Sequence, residues 1–358
     1  MTGLAMAILA TVTGVSIAPP PPTAIPLPGG PPVSMDYLAY DAATGRVWVP
    51  AGNTGNVDVL DVATGKLTTI AGFATKLASR PGRPARQVGP SSVTVGDGVV
   101  WIGNRGDDSV CAFDRKTFEK GACAKLASMP DGIAYVADTR EVWITTPRAK
   151  AITIVGVAGT IVGVAGKEPA APAVIKLEGE PEGYAVEPGR GRFYTNLEDR
   201  DRTLAIDVKT RKVVASWPTG CGSNGPRGLA LDARRRLLFA ACTDGAVSFD
   251  LEKSGKAVGR IKTGGGVDNL DFHAGKGMLY VASPVDGTVK VARVNDGGAL
   301  TEITNTKTAS GARNPVVATD GTVYVADSAG GRLLAVQPRL SGRAGAGPAA
   351  HPHDTDER

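Results

Sequence analysis

The chain has 358 residues, with 47 Gly, 25 Pro, 42 % apolar residues and only 5 % aromatic ones. That much Gly and Pro excludes a helical bundle, and the apolar fraction is too high for wholesale disorder, which leaves many short strands. Forty Lys and Arg against 35 Asp and Glu give a formal charge of +5. The charge is spread along the chain except at Lys76, Arg80, Arg83 and Arg86, where KLASRPGRPAR has no interleaved aromatic residue and reads as a solvated loop of incidental charge.

In chain order, residues 3–18 (GLAMAILATVTGVSIA) form an apolar run too short to cross a bilayer comfortably but of the length of a secretory h-region. Residues 1–18 are therefore expected to lie outside the fold as a signal segment. No Lys or Arg precedes the run, and Pro19 follows the small residues Ser16 and Ala18. Residues 19–32 are a proline-rich tether that contains a free strand-like segment, TAIPLP, at 23–28.

From residue 33 to about 340 a unit recurs. It has an apolar, aromatic, apolar strand, a polar turn and a second apolar strand, as in RVWVPAGNTGNVDVLD and MLYVASPVDGTVKVAR. Its aromatic positions are Trp48, Trp101, Trp143, Tyr194, Phe239, Tyr280 and Tyr324, about 46 residues apart. A further strand precedes each copy (DYLAYD, SSVTVGD, GIAYVAD, GYAVEP, GLALDA, NLDFHAG, NPVVATD), and a fourth usually follows, as in KLTTIAG. Four antiparallel strands repeated seven times predict an all-β, seven-bladed β-propeller of four-stranded blades. The seventh unit lacks an outer strand of its own after LLAVQP. The N-terminal TAIPLP is expected to complete that blade and close the ring, removing the open edges.

Cys111 and Cys123 flank the turn DRKTFEKG, and pairing of the flanking strands about Thr117 sets the two sulfurs across a hairpin. Cys221 and Cys242 both fall near loops expected on one face. The competing reading is four buried free thiols. In the third unit TIVGVAG at 153–159 is repeated at once at 160–166, a small tandem duplication that predicts a lengthened strand or a protruding hairpin. Its functional reading is a contact surface or lid, and its plain one a tolerated insertion. Residues 341–358 read as a disordered tail.

Repeats written VYVAD, LYVAS and WVPAG, each followed by G-x-V-x-V-x-D or a close variant, resemble the YVTN-type, YncE-like seven-bladed propellers over about Pro26 to Pro338. The resemblance implies the propeller fold and export to a secreted or periplasmic location, and it implies no activity. The segment CGSNGPRGLALDARRRLLFAAC is similar to one in exported relatives. In such propellers the connection entering a blade and the one after its second strand share a face, which implies a Cys221–Cys242 bridge.

Chemistry is sparse. The three histidines are His273, next to a turn, and His351 and His353 in the tail, and no C-x-x-C, H-E-x-x-H, G-x-S-x-G or phosphate-loop pattern occurs. What remains is the mouth of the central channel, where the residues opening each innermost strand converge: Asp36, Ser91, Asp131, Glu182, Arg227, Asp268 and Asn314. Asp268 is followed by Asn269 and Asp271, which alternation is expected to send to different faces. Four carboxylates and a guanidinium predict a site for a small polar ligand or a protein partner at Asp36, Asp131, Glu182, Arg227, Asp268 and Asn314. Water over turn-forming residues is the alternative. Asp131, Glu182 and Asp268 are candidate ligands for a hard divalent cation such as Ca²⁺ or Mg²⁺. Glu182 and Asp268 are the candidate general acid or base of a metal-assisted lactonase or lyase, a reading that rests on fold analogy. A third reading is nucleic acid bound by the basic segment. The chain is expected to be a monomer without a transmembrane segment.

Overall fold

A computed structural model describes residues 20–80, 82–157, 171–222 and 225–340, without the side chains of Arg80 and Arg83. The expected signal segment, the second TIVGVAG copy, the tail and its two histidines lie outside the described residues. Seven four-stranded antiparallel sheets make seven blades, as the repeat predicts. The aromatic strands are the second strand of every blade, and the seven aromatic side chains are all at most 5 % exposed.

These strands read as near-continuous apolar runs because both of their faces are covered. In blade one Val47 and Val49 point into the cluster shared with blade seven, while Trp48 between them packs on Val93, Val100 and Ile102 of blade two. Each of the seven blade interfaces holds one such cluster, the last running between blades six and seven around Tyr280, Val325 and Leu334. The period-2 alternation of each strand thus supplies two neighbouring cores at once.

Ring closure follows the sequence. Thr23–Pro26 pairs antiparallel with Arg332–Val336, with Thr23 opposite Ala335 and Pro26 opposite Arg332. Pro26 is tolerated because this is the outer edge of the blade, where one side needs no amide donor. Leu27, Val33 and Met35 continue inward and are buried beside Leu333 and Tyr324.

Both disulfides form as expected. Cys111 lies directly across the ladder from Cys123, and Cys221 joins Cys242 at the end of the second strand of blade five. The first TIVGVAG copy supplies most of the third strand of blade three, Ala151–Gly156.

The basic stretch is a correction. It is a hairpin of Lys76–Arg80 on Arg83–Val88, with Ala78 opposite Arg86, inserted between blades one and two. Lys76 Nζ sits 2.7 Å from Asp108, and Arg148 of blade three donates to the Ser79 carbonyl at 3.3 Å. The hairpin is therefore tied across blade two, and its Arg86 is part of the site described next.

Candidate functional site

The innermost strands open at the mouth on irregular backbone. Register shifts fall between Pro90 and Ser92, Glu182 and Tyr184, Pro226 and Leu229, and Arg313 and Val316. These are the positions of Ser91, Glu182, Arg227 and Asn314. An extra residue at such a point re-aims the side chains beside it, which is how strands that should alternate turn polar groups to one opening. Gly183 has φ +70°, and a Cβ there would lie 2.5 Å from the Arg227 carbonyl oxygen, so only glycine fits.

Asp36, Asp131, Glu182, Arg227 and Asp268 all line one cavity of about 170 Å³. Asn314 is buried just behind it, with Nδ2 donating to the Asp36 carbonyl at 3.1 Å, and Ser91 lines an adjoining cavity of about 160 Å³. Four further charged residues complete the mouth cavity: Arg86, Arg105, Glu198 and Arg313. Arg105 and Glu198 each follow the second strand of their blade directly. Comparing that repeat position across units, Arg105 with Glu198 and Ser328, would have exposed a second ring. Arg86 comes from the inserted hairpin, which no repeat position predicts.

Arg105 organises the centre. Its Nη2 lies 2.8 Å from Asp36 Oδ2 and also bonds Asp131 Oδ1, while Nε donates to the Pro130 carbonyl at 3.1 Å. Arg313 Nη1 sits 3.0 Å from Asp268 Oδ2, and Arg227 pairs with Glu198. Tyr37 donates its hydroxyl proton to Glu182 Oε1 at 3.1 Å and accepts from the Gly183 N–H at 3.1 Å. Asp131 Oδ2 is buried and has no partner.

Burial and neighbours separate the acids. Burial pushes Asp36 upward, but Arg105 and then Arg313 outweigh it and hold the carboxyl below its usual range. Burial, with repulsion from Asp36 and Asp268, lifts Asp131 to about 6 against the pull of Arg105. Glu182 is pushed well above its ordinary value by burial and then by Asp131 and Asp268, so it keeps its proton longest as pH rises. With Glu182 neutral, four guanidiniums face four carboxylates.

The divalent-cation expectation does not fit this arrangement. A guanidinium occupies the space between Asp36 and Asp131, a second covers Asp268, and among the described residues no three acidic, His or Cys side chains gather to hold a metal ion. His273 is a turn residue at the other end of its strand, with Nδ1 accepting from Lys276 N–H at 3.1 Å. Asn269 and Asp271 part as expected, the Asn269 amide oxygen lying against Gly228 of blade five and the Asp271 carboxylate turned to the Val317 N–H of blade seven, and both residues border the channel below the mouth. Tyr37 and Tyr184, with ring centroids 5.8 Å apart, lie between the two levels.

No protein-family model matches the chain, and no curated protein matches its sequence. Among solved structures it is similar to a chain of the mitotic checkpoint complex, at 13 % identity over 94 % of this chain and 98 % of that one, with a TM-score of 0.67. Hydrazine synthase of Kuenenia stuttgartiensis matches at 14 % identity over 92 % and 100 %, again with a TM-score of 0.67. The streptogramin B lyase structure matches at 11 % identity over 88 % and 97 %, also at 0.67. The likeness is one of fold alone. No helix among the described residues is long and apolar enough to cross a membrane.

Proposed function

We propose that this chain is a binding propeller of the YVTN type that takes a small polar ligand at the charged mouth. The observation that carries the reading is a cavity whose described lining is wholly charged side chains, among them Asp131, whose buried Oδ2 has no hydrogen-bond partner. A buried, unmet acceptor is costly unless something donates to it. The near balance of charge favours a ligand that is neutral overall or zwitterionic, and the 170 Å³ volume favours one smaller than the drug-sized molecules of ~300–1,000 Å³ pockets. Among the described residues no aromatic ring lines this cavity, which argues against a stacked base or sugar. The two disulfides fit an oxidising compartment, and we read the chain as exported.

Thermal shifts with a panel of free amino acids and small polyols test this. A ligand at about 100 times its Kd stabilises the fold by roughly 2.7 kcal/mol, and the shift should vanish in Asp131→Ala, Glu182→Ala and Asp268→Ala. Shifts that persist in all three variants, or none in the wild type across the panel, overturn the reading. A lyase or lactonase is the second reading, favoured by two acids, Glu182 and Asp131, whose pKa values are displaced upward beside ionised Asp36. Absence of turnover on a lactone panel, with and without added Mg²⁺ or Ca²⁺, removes it. Arg86 turned to the mouth draws the basic hairpin into the same site rather than toward nucleic acid.

A further inference from the structure

Below the Tyr37–Tyr184 pair the channel widens into a separate cavity of about 340 Å³, twice the volume of the mouth. Its wall carries one acidic side chain, Asp271, on the innermost strand of blade six, Leu270–His273. Asp271 Oδ1 accepts from the Phe272 N–H and Oδ2 from the Val317 N–H of blade seven, both at 2.8 Å. Its charge is otherwise uncompensated. Among the described residues no Lys or Arg pairs with it, and the one ionisable group that favours its charged form is His273 on the same strand. Tyr280, on the neighbouring strand, is the other titratable group it acts on. The contrast with the mouth is direct, since Asp36, Asp131, Glu198 and Asp268 each have a guanidinium in contact.

A buried carboxylate facing an open cavity is satisfied best by a cation that brings hydrogen-bond donors. The innermost strands are sheet edges, so alternate backbone carbonyls face the channel without a strand partner and add acceptors around the same space. With a single carboxylate, a divalent metal has too few charged ligands here. Tyr37, Tyr40 and Tyr184 supply ring surface that suits an alkyl body and tolerates a nearby positive charge. We infer that the lower channel is a second binding site, separate from the charged mouth, that takes a small protonated primary amine with its ammonium on Asp271.

Burial lifts the Asp271 carboxyl to about 6, against the two backbone N–H groups that favour the anion. A primary amine stays protonated to about pH 10. Affinity is therefore full above pH 7 and falls about tenfold per pH unit once Asp271 is mostly protonated, because only the ionised fraction binds.

Calorimetric titration of the full chain with butylammonium tests the inference, using Asp271→Asn and, at the mouth, Glu198→Gln. Saturable binding is expected at pH 8, weakened at least tenfold in D271N, weakened about tenfold at pH 5, and unchanged in E198Q. Tetramethylammonium, which has no N–H to donate, should bind more weakly than butylammonium. No saturable binding to the wild type up to about 10 mM, equal affinity in D271N, or loss in E198Q with D271N intact overturns the site. Circular dichroism establishes whether D271N is folded. If it is not, the wild-type pH series decides together with Glu198→Gln, and an affinity that stays flat from pH 8 to pH 5, or one that is lost in Glu198→Gln, overturns the proposal. None of these outcomes depends on a ligand at the mouth, so the two sites stand or fall separately.

Discussion

Arg105 is the residue whose loss should be felt most widely at the mouth. Its side chain is 9 % exposed and touches two carboxylates, Asp36 and Asp131, the second of them equally buried. Arg105→Met keeps most of the volume and removes the charge, leaving both acids without their cation. Breaking a buried pair by deleting one partner costs ~3–5 kcal/mol, and at roughly 2 °C per kcal/mol for a chain of this size that is a fall in Tm of about 6–10 °C. The loss depends on pH. In the wild type Asp36 is held below its unfolded pKa, so its contribution is present above that value and disappears as pH falls through the lowered folded one. In Arg105→Met Asp36 rises above its unfolded value and Asp131, already above it, rises further, and the variant loses stability as pH climbs through them. The gap between the two proteins should therefore be widest at pH 7.5 and narrow toward pH 4, where both acids are protonated in the variant and Asp131 in the wild type, leaving only the Asp36 contact with Arg105 to separate them. Arg105→Lys restores a charge but not the fork that reaches both acids, and should fall between. Thermal unfolding followed by circular dichroism at pH 4, 5.5 and 7.5 in low salt measures this. A loss under about 2 °C at pH 7.5, or the same loss at pH 4 as at pH 7.5, refutes the view that Arg105 holds the mouth together by charge.

Three more perturbations probe different parts of the fold. Glu182→Gln mimics the protonated acid that burial and its neighbours favour; because the folded state holds this proton above the unfolded pKa, wild-type stability should decline as pH rises from there, and the variant should flatten that decline in a series of Tm values from pH 5 to 9. Unchanged slopes would falsify the raised pKa. A chain starting at Gly29 lacks the closing strand and buried Leu27, which alone contributes ~2 kcal/mol, and it opens the Arg332–Val336 edge. A lower Tm and higher oligomers by size-exclusion chromatography are expected, and a monomer of wild-type Tm would show that closure is dispensable. Reducing the two disulfides should cost about 3 kcal/mol each by the entropy of loops of 12 and 21 residues, read as a drop in Tm after reduction, with no free thiol detectable in the unreduced, denatured protein.

The fold was legible because a propeller writes itself in repeats. The aromatic residue at the centre of every second strand marks the period, and the missing outer strand of the last unit pointed to the N-terminal segment that fills it. Cys111 and Cys123 could be paired because hairpin register is a counting problem. The mouth was only partly legible. Asp36, Asp131, Glu182, Arg227 and Asp268 share a position in the repeat, so counting brought them together. Their partners come from elsewhere: Arg105 and Glu198 from the connection after the second strand, Arg313 from one residue ahead of the counted position, and Arg86 from a hairpin outside the repeat. The bulges that turn these side chains inward leave no mark in the apolar pattern. Asn269 and Asp271 turn to different blades because Asn269 lies ahead of the strand Leu270–His273, so the two-residue alternation of that strand does not reach it.

Those omissions changed the chemistry inferred for the mouth. Read as four carboxylates and one guanidinium, the ring suited a small polar ligand, a protein partner or a hard cation; with three more arginines and Glu198 in place, it is nearly balanced, which favours a neutral or zwitterionic guest. The unbalanced charge lies deeper, at Asp271, which no arginine among the described residues pairs with. Tyr37 is shared between the two levels, its hydroxyl committed to Glu182 above and its side chain lining the cavity below. Loss of the Glu182 proton would set a second negative charge beside that hydroxyl, which is itself held protonated by burial and by Glu182. The acid state of the mouth therefore bears on the roof of the lower cavity, while the charge that would hold an amine there belongs to Asp271 alone.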